Sequence, residues 1–485
     1  EAPPPPAAAR TGDATAGPGA ETSGVAAGMA VATDVCPAGA RGGLGTAELV
    51  AVHALTWLVA GNAVGLLLAT LLLAPELHGL LGPLSFGRWM PVHWNAQLYG
   101  WLALPLVGLL LRWYRSGHRA ASLAIAAWSA TLAAGCASWL AGGTSGKPFL
   151  EWAGPARWLL VGNLTFLSGV LLVGLARRPA GKGRAGLAAR AGLLAALLAV
   201  PALMARATDP AVYPPVNPAS GGPTGGSLLG STLGIVAFFL AAPSILGLTA
   251  SPGLPGRRRR LGTAWAVLGL HGLLFLLLDH GDHSHHEALQ VAAVASLAIW
   301  PPLLVRHLRA FRWPAGSGPW LAALAGWGVL LVVSAVVTFL PGVLERWKFT
   351  NALVAHAHLA MGGLATSFAV LVLLALTAGG RLEAVLAGRR PFALWHGGCL
   401  LYVAAMLVLG TLEGGDPGVV IRGDAAGTLL YAVRWAAGAA MLAASGEWLG
   451  RSLGRLLAAR PAGDRTAAGP PDAGPRAAWV SGGGR

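Results

Sequence analysis

Stretches of about 20 predominantly apolar residues, separated by short polar connections, leave this chain few ways to fold. Twelve are read at about 47–74, 90–112, 119–141, 156–177, 186–206, 226–249, 260–279, 288–309, 319–341, 349–377, 391–411 and 426–449. A run of that length can cross the hydrocarbon core of a bilayer as a helix, and a helix satisfies its own backbone polar groups inside lipid. With 55% hydrophobic and 11% charged residues, the composition is not that of a soluble domain. The predicted fold class is all-α, a polytopic membrane protein of about twelve transmembrane helices.

The formal charge of +15 sits in short blocks between the apolar runs, so it reads as a topology signal and not as a nucleic-acid surface. Basic residues collect on every second connection: Arg112 to Arg119, Arg177 to Arg184, Arg257 to Arg260, Arg306 to Arg312, Arg381 to Arg390, and the tail from Arg451. That alternation predicts an even number of spans with both termini cytoplasmic. Residues 1–45, rich in Ala, Pro and Gly, read as a disordered cytoplasmic arm; 46–450 form the membrane domain and 451–485 a basic cytoplasmic tail. Cys36, Cys136 and Cys399 have the spacing of neither a disulfide framework nor a metal cluster.

Ionisable residues inside lipid are costly, which draws attention to His356-Ala-His358 in the tenth run. Positions two apart on a helix point about 200° apart, so these imidazoles serve two different centres, or else hydrogen-bond as interior histidines between helices. The predicted topology puts His93, His285, His286, His356 and His358 all in the outer part of the membrane. Two histidines from different helices can hold a low-spin haem, and His93 with His358 is the expected pair. A single histidine leaves the sixth position of a haem open to a small gas, the role expected of His356, with His285 and His286 facing it at a copper or iron centre. His53, His271 and His396 are expected to be interhelical hydrogen-bond partners, whereas His78, His118 and His307 are placed in connections.

Five motifs, Phe86-Gly-Arg-Trp-Met-Pro-Val-His-Trp-Asn95, Gly143-Thr-Ser-Gly-Lys-Pro-Phe-Leu-Glu-Trp152, His285-His286, His356-Ala-His358 and Trp395-His-Gly-Gly-Cys-Leu-Leu-Tyr402, occur in this order and register. From about residue 47 to about 450 the chain resembles the catalytic subunit I of the haem-copper oxidase superfamily, most closely the cbb-type, with nitric oxide reductases as relatives. The resemblance implies a low-spin haem b held by His93 and His358, a high-spin haem on His356, and a copper site with His285 and His286. It also implies a cytochrome c-type electron donor or accessory subunits, dioxygen or nitric oxide as substrate, and a place in the lipid bilayer of the bacterial inner membrane. Arg88, close before His93, is expected to meet haem propionates. Lys147 and Glu151 are assigned structural work at the outer surface.

The chain departs from the family pattern at the second metal. The sixth span carries no histidine, the position of the family's cross-linked tyrosine is Asp279, and the ninth-span glutamate is replaced at about Ser334. The histidine-rich segment Asp279 to Glu287 offers Asp279, His280 or His283 as a replacement ligand, and a carboxylate with two imidazoles favours iron. Asp279, at the end of a span, is the candidate catalytic and ligating residue. An inward proton path is thin, with Gln290 and Ser296 the polar residues of the eighth span, so protons are expected from the outer surface. The expected function is a terminal reductase passing electrons through the low-spin haem to the gas-binding haem. The alternative is a haem-carrying relay or gas-sensing subunit with a degenerate copper site.

Overall fold

The computed structural model describes residues 44–177, 184–212, 214, 228–250, 257–278, 288–421 and 423–458. All twelve expected runs are helical over the described residues, and ten helices are long and apolar enough to cross a membrane. We number them α1 Thr46–Leu73, α2 Phe86–Trp113, α3 His118–Leu140, α4 Gly154–Ala176, α5 Arg184–Ala207, α6 Leu228–Ile245, α7 Arg257–Leu278, α8 Ala288–Leu308, α9 Ser317–Thr338, α10 Asn351–Leu376, α11 Arg389–Gly415 and α12 Ala425–Ala458. The apolar parts of α6 and α7 are shorter, Leu229–Ile245 and Leu261–Leu277, and these two fall outside the ten. Among the described residues the sole β contact is an isolated bridge between Ala250 and Phe311. This is the architecture of a polytopic membrane helix bundle.

Side-chain bonds sort the helix ends into two groups. At one end Glu48 pairs with Arg381 at 2.8 Å, Thr46 meets His118, Arg112 donates to the Ala375 carbonyl, and Arg455 donates to the Arg381 carbonyl. At the other, Arg88 donates to the Leu140 carbonyl, Arg157 pairs with Asp209 at 3.1 Å, and Asn351 bonds Glu413. The connections bearing Arg112 to Arg119 and Arg381 to Arg390 therefore share the first end, as the alternation predicts.

Helix α10 runs through the interior. All ten residues from Thr366 to Ala375 are buried, which suits a segment apolar on every side. Helix α12 packs against both α1 and α11, α11 packs on α10, and α10 on α9. A smaller cluster of Leu229, Leu233, Val236, Leu240, Ala264, Ala293, Leu297 and Trp300 unites α6, α7 and α8. Leu172, Leu270, Leu276, Leu277 and Val333 are exposed, as side chains facing lipid are.

Three details differ from expectation. Helix α8 is broken by a 3-10 turn at Leu297–Ile299 ahead of Pro301 and Pro302, because proline supplies no backbone N–H to continue the ladder. Helix α12 continues to Ala458, beyond the expected start of the tail at 451. His307 is not in a connection: it lies on α8, buried, donating from Nε2 to the Leu240 carbonyl at 2.9 Å. The expected arm up to residue 43, the tail beyond 458, and the segment with Asp279, His280, His283, His285 and His286 lie outside the described residues.

Candidate functional site

Helix α2 carries His93 and then changes winding. Residues Ala96–Leu102 form a π-helical segment, and a second one, Leu359–Ala365, follows directly on His358 in α10. One-turn π segments in helices are frequent at functional sites. The carbonyls loosened by the second are taken up by side chains: Thr366 donates to Met361 O at 2.9 Å, Trp395 to Gly362 O at 2.9 Å, and Ser367 to Gly363 O at 2.7 Å. Trp101, inside the first segment, donates to Thr366 Oγ1 at 2.9 Å and so ties the two altered helices together.

The bonding of each imidazole fixes its tautomer. His93 Nδ1 lies 2.8 Å from the Gly61 carbonyl of α1, and His358 Nδ1 lies 2.8 Å from the Val354 carbonyl one turn earlier. A carbonyl only accepts, so both Nδ1 atoms carry the proton and both Nε2 atoms keep a lone pair. Ser334 Oγ lies 2.9 Å from Leu331 O and 2.8 Å from His356 Nδ1, and when its proton goes to that carbonyl it accepts the imidazole's Nδ1–H. In all three histidines Nδ1 is thereby committed and Nε2 makes no hydrogen bond to a described residue. This is the arrangement metal-ligating histidines adopt, with the outer partner orienting the ring and raising its basicity.

Outside the interior the same bonding recurs, since His78 donates from Nδ1 to the Pro75 carbonyl at 2.8 Å and His118 Nδ1 meets the Thr46 hydroxyl at 3.1 Å. His271 accepts from Trp300 at Nδ1 at 2.9 Å and donates from Nε2 to Ser296 at 2.6 Å, which uses both ring nitrogens. His396 accepts from Trp327 at Nδ1 at 2.9 Å, and its Nε2 is enclosed with no partner among the described residues. His53 meets Ser129 at 2.7 Å. All three link different helices, as expected of structural histidines.

The geometry also divides His356 from His358. The first turns to Ser334 on α9, while the second stacks on Tyr402 of α11, with ring centroids 4.1 Å apart and planes 27° from parallel. His93 and Arg434 are the charged-group neighbours of His358. Both His93 and His358 lie deep in the bundle and are half-buried by accessible surface. Room for His93 comes from Gly65, where a Cβ would stand 2.6 Å from His93 Cε1.

The motif Trp395 to Tyr402 acts as one helix face. At intervals of four and three residues, Trp395 bonds Gly362 O, Cys399 Sγ lies 3.8 Å from His358 O, and Tyr402 stacks on the ring. Behind Tyr402 sits a buried polar chain: the Arg434 guanidinium lies 5.4 Å above the tyrosine ring and donates to Asn351 Oδ1 at 3.0 Å. Asn351 in turn donates to Glu413 through its side chain at 2.5 Å and its backbone at 2.7 Å, so Glu413 also satisfies the N-terminus of α10. Neither Arg434 nor Glu413 stands out in the sequence, because their partners come from a distant helix.

A second polar cluster joins α2 to the α3–α4 connection. Asn95 donates to Glu151 Oε2 at 2.8 Å, and Trp139 donates to the Glu151 carbonyl at 3.1 Å. Glu151 is 1% exposed and Lys147 6%, so both are interior and not at the surface, where sequence reasoning puts them. Burial pushes the Glu151 carboxyl up to about 7, with the Asn95 hydrogen bond opposing the rise. Its Oε1 and Asn95 Oδ1 are enclosed with no partner among the described residues. A proton on the carboxyl gives such an acceptor pair a donor. Arg88 commits Nη1 to the Leu140 carbonyl at 2.9 Å, tying the start of α2 to the end of α3.

No protein-family model matches the chain, and no curated protein matches it.

Proposed function

We propose that the chain is a respiratory membrane subunit of the haem-copper oxidase type, with two haem sites built on His93 with His358 and on His356. The observation that carries this reading is the meeting of His93 and His358 from α2 and α10 inside the bundle, with His356 turned to the opposite face of α10. Each has Nδ1–H held by an oxygen from the surrounding helix frame and Nε2 left as a lone pair. The residues present fit the group: two nitrogen donors on α2 and α10 for a six-coordinate centre, and one donor on the opposite face of α10 for a five-coordinate one. Haem at these positions supplies one-electron transfer at the first centre and reduction of dioxygen or nitric oxide at the second.

The chain's own groups set the conditions. Tyr402 fixes the His358 ring by stacking, and Gly61 fixes that of His93. Arg434 places a buried positive charge beside the pair and is suited to carboxylates by its fork of donors. Ser334 gives His356 a neutral hydroxyl acceptor, a weaker base-strengthening partner than a carboxylate. His285 and His286, with His283 or Asp279, are the proposed ligands of a copper or iron ion facing His356, and Asp279 the proposed catalytic acid. A cytochrome c-type protein is the proposed donor and the bacterial inner membrane the proposed location, with both termini cytoplasmic.

The face of α6 argues for a second reading, a haem-carrying relay or gas-sensing subunit without a working second metal. That helix offers Leu229, Leu233, Val236 and Leu240 to its neighbours and no ligand. Metal analysis with reduced and carbon monoxide difference spectra on one preparation separates the two. Two haems and about one copper or iron per chain, with turnover of oxygen or nitric oxide, are expected of the reductase; haem alone supports the relay. A purified chain binding no haem would refute both.

A further inference from the structure

We propose that a recess between α3 and α4, at the end of the bundle where the basic connections gather, binds one anionic phospholipid. The recess holds about 330 Å³ and is lined by apolar residues including Phe166, Gly169, Val170 and Val173, together with Arg115 and Arg177. That volume is within the range of small-ligand pockets, about 300–1,000 Å³. Its walls are apolar and part of them faces outward: Phe166 is 38% exposed and Val173 46%, and a Cβ at Gly169 would meet nothing within 4 Å. Its base is set by Gly174, which brings α4 so close to the turn after α2 that a Cβ would stand 2.6 Å from the Tyr114 carbonyl.

The charge in the lining selects the occupant. Both arginines are exposed, neither side chain bonds a described residue, and none of the described residues lining the recess is acidic. Arg115 also holds a left-handed backbone at φ 54°, the position that ends α2, where Ser116 N bonds Leu111 O at 2.9 Å. Glycine ordinarily fills that position at little cost, whereas a side chain there is strained and is retained where surroundings or a ligand require it. Here the strained residue is an arginine in the lining of an apolar recess. A phosphodiester on the two guanidinia with an acyl chain along Phe166, Gly169 and Val173 satisfies both halves of the recess, as in other basic pockets between membrane helices. A zwitterionic lipid lacks the net charge, and a free anion leaves the apolar slot uncovered.

Native mass spectrometry of the full chain released from nanodiscs of equal phosphatidylglycerol and phosphatidylcholine tests this. The wild type is expected to retain one phosphatidylglycerol in preference to phosphatidylcholine. Arg177→Gln, at an exposed position, should reduce the preference about 5-fold, and Arg115→Gly with Arg177→Gln about 30-fold. The glycine relieves the left-handed strain, so the double variant is expected to fold. Gly169→Leu should displace the lipid whatever its headgroup. The proposal is overturned by a wild type that retains the two lipids equally, by a double variant with wild-type preference, or by inorganic phosphate alone displacing the lipid.

Discussion

Adding one methyl group at Gly65 of α1 tests the haem reading without touching a proposed ligand. The new Cβ would lie 2.6 Å from His93 Cε1 and 2.9 Å from Nδ1. Carbon atoms rest at about 3.5–4.0 Å, so the imidazole must retreat by about 1 Å. A retreat of that size stretches the 2.8 Å bond to Gly61 O to a length at which it no longer counts as a hydrogen bond. Loss of such an outer partner costs about 10- to 100-fold in affinity at metal sites. The helix itself gains, since alanine is favoured over glycine by about 1 kcal/mol in a helix interior. Gly65→Ala should therefore lose low-spin haem while its thermal stability holds. Haem per chain, the low-spin absorbance band and a haem titration of the apoprotein read this out. Gly162→Ala on α4, where a Cβ meets nothing within 4 Å, is the control. Wild-type haem affinity and spectrum in Gly65→Ala, or an equal loss in Gly162→Ala, would refute the reasoning.

Three further outcomes are expected. His356→Ala should abolish carbon monoxide binding and leave the low-spin spectrum intact; a retained carbon monoxide complex would sink the assignment of that imidazole. Arg434→Gln removes a buried positive charge beside His358 and should lower the low-spin midpoint potential by on the order of 50–100 mV in a redox titration, and a rise would contradict it. The Glu151 carboxyl, raised by burial to about 7, favours the protonated fold, so its contribution is present below about pH 4.5 and lost as pH rises through about 7. Glu151→Gln keeps an oxygen for Asn95 and should be more stable than wild type above pH 7, by on the order of 3 kcal/mol, with no advantage near pH 4. Melting temperatures of both proteins across that range decide it, and parallel curves would show that the carboxyl is already charged in the fold.

The helices and the grouping of their ends were legible because each depends on local composition: run length sets a span, and basic blocks mark one end. The 200° divergence of His356 and His358 was likewise legible, since helix geometry alone turns one to α9 and the other to α11. Features made by two helices meeting were not. Glu413 and Arg434 are ordinary residues until Asn351 is placed between them, and Glu151 looks like a surface acid until Asn95 and Trp139 close over it. The π segments leave no mark in side-chain pattern, and they matter because the carbonyls they free are what Trp395 and Thr366 hold.

The difference between a structural and a ligating histidine is of the same kind. His271 and His358 are both membrane histidines in apolar runs, and sequence depth or spacing assigns neither one a proton. What separates them is which nitrogen meets a carbonyl and whether the other meets anything. At His271 a tryptophan donor faces Nδ1, which forces the proton to Nε2 and spends it on Ser296. At His358 an acceptor faces Nδ1, which forces the lone pair onto Nε2, and there the helix frame offers no donor. A buried ring nitrogen left as an acceptor without a donor costs the fold on the order of 1–3 kcal/mol. His93, His356 and His358 avoid that cost, because none of their Nε2 atoms is fully enclosed and each residue keeps some accessible surface. His78 has the same bonding in an exposed turn, so what sets His93 and His358 apart is their place in the bundle interior, beside each other, Tyr402 and Arg434.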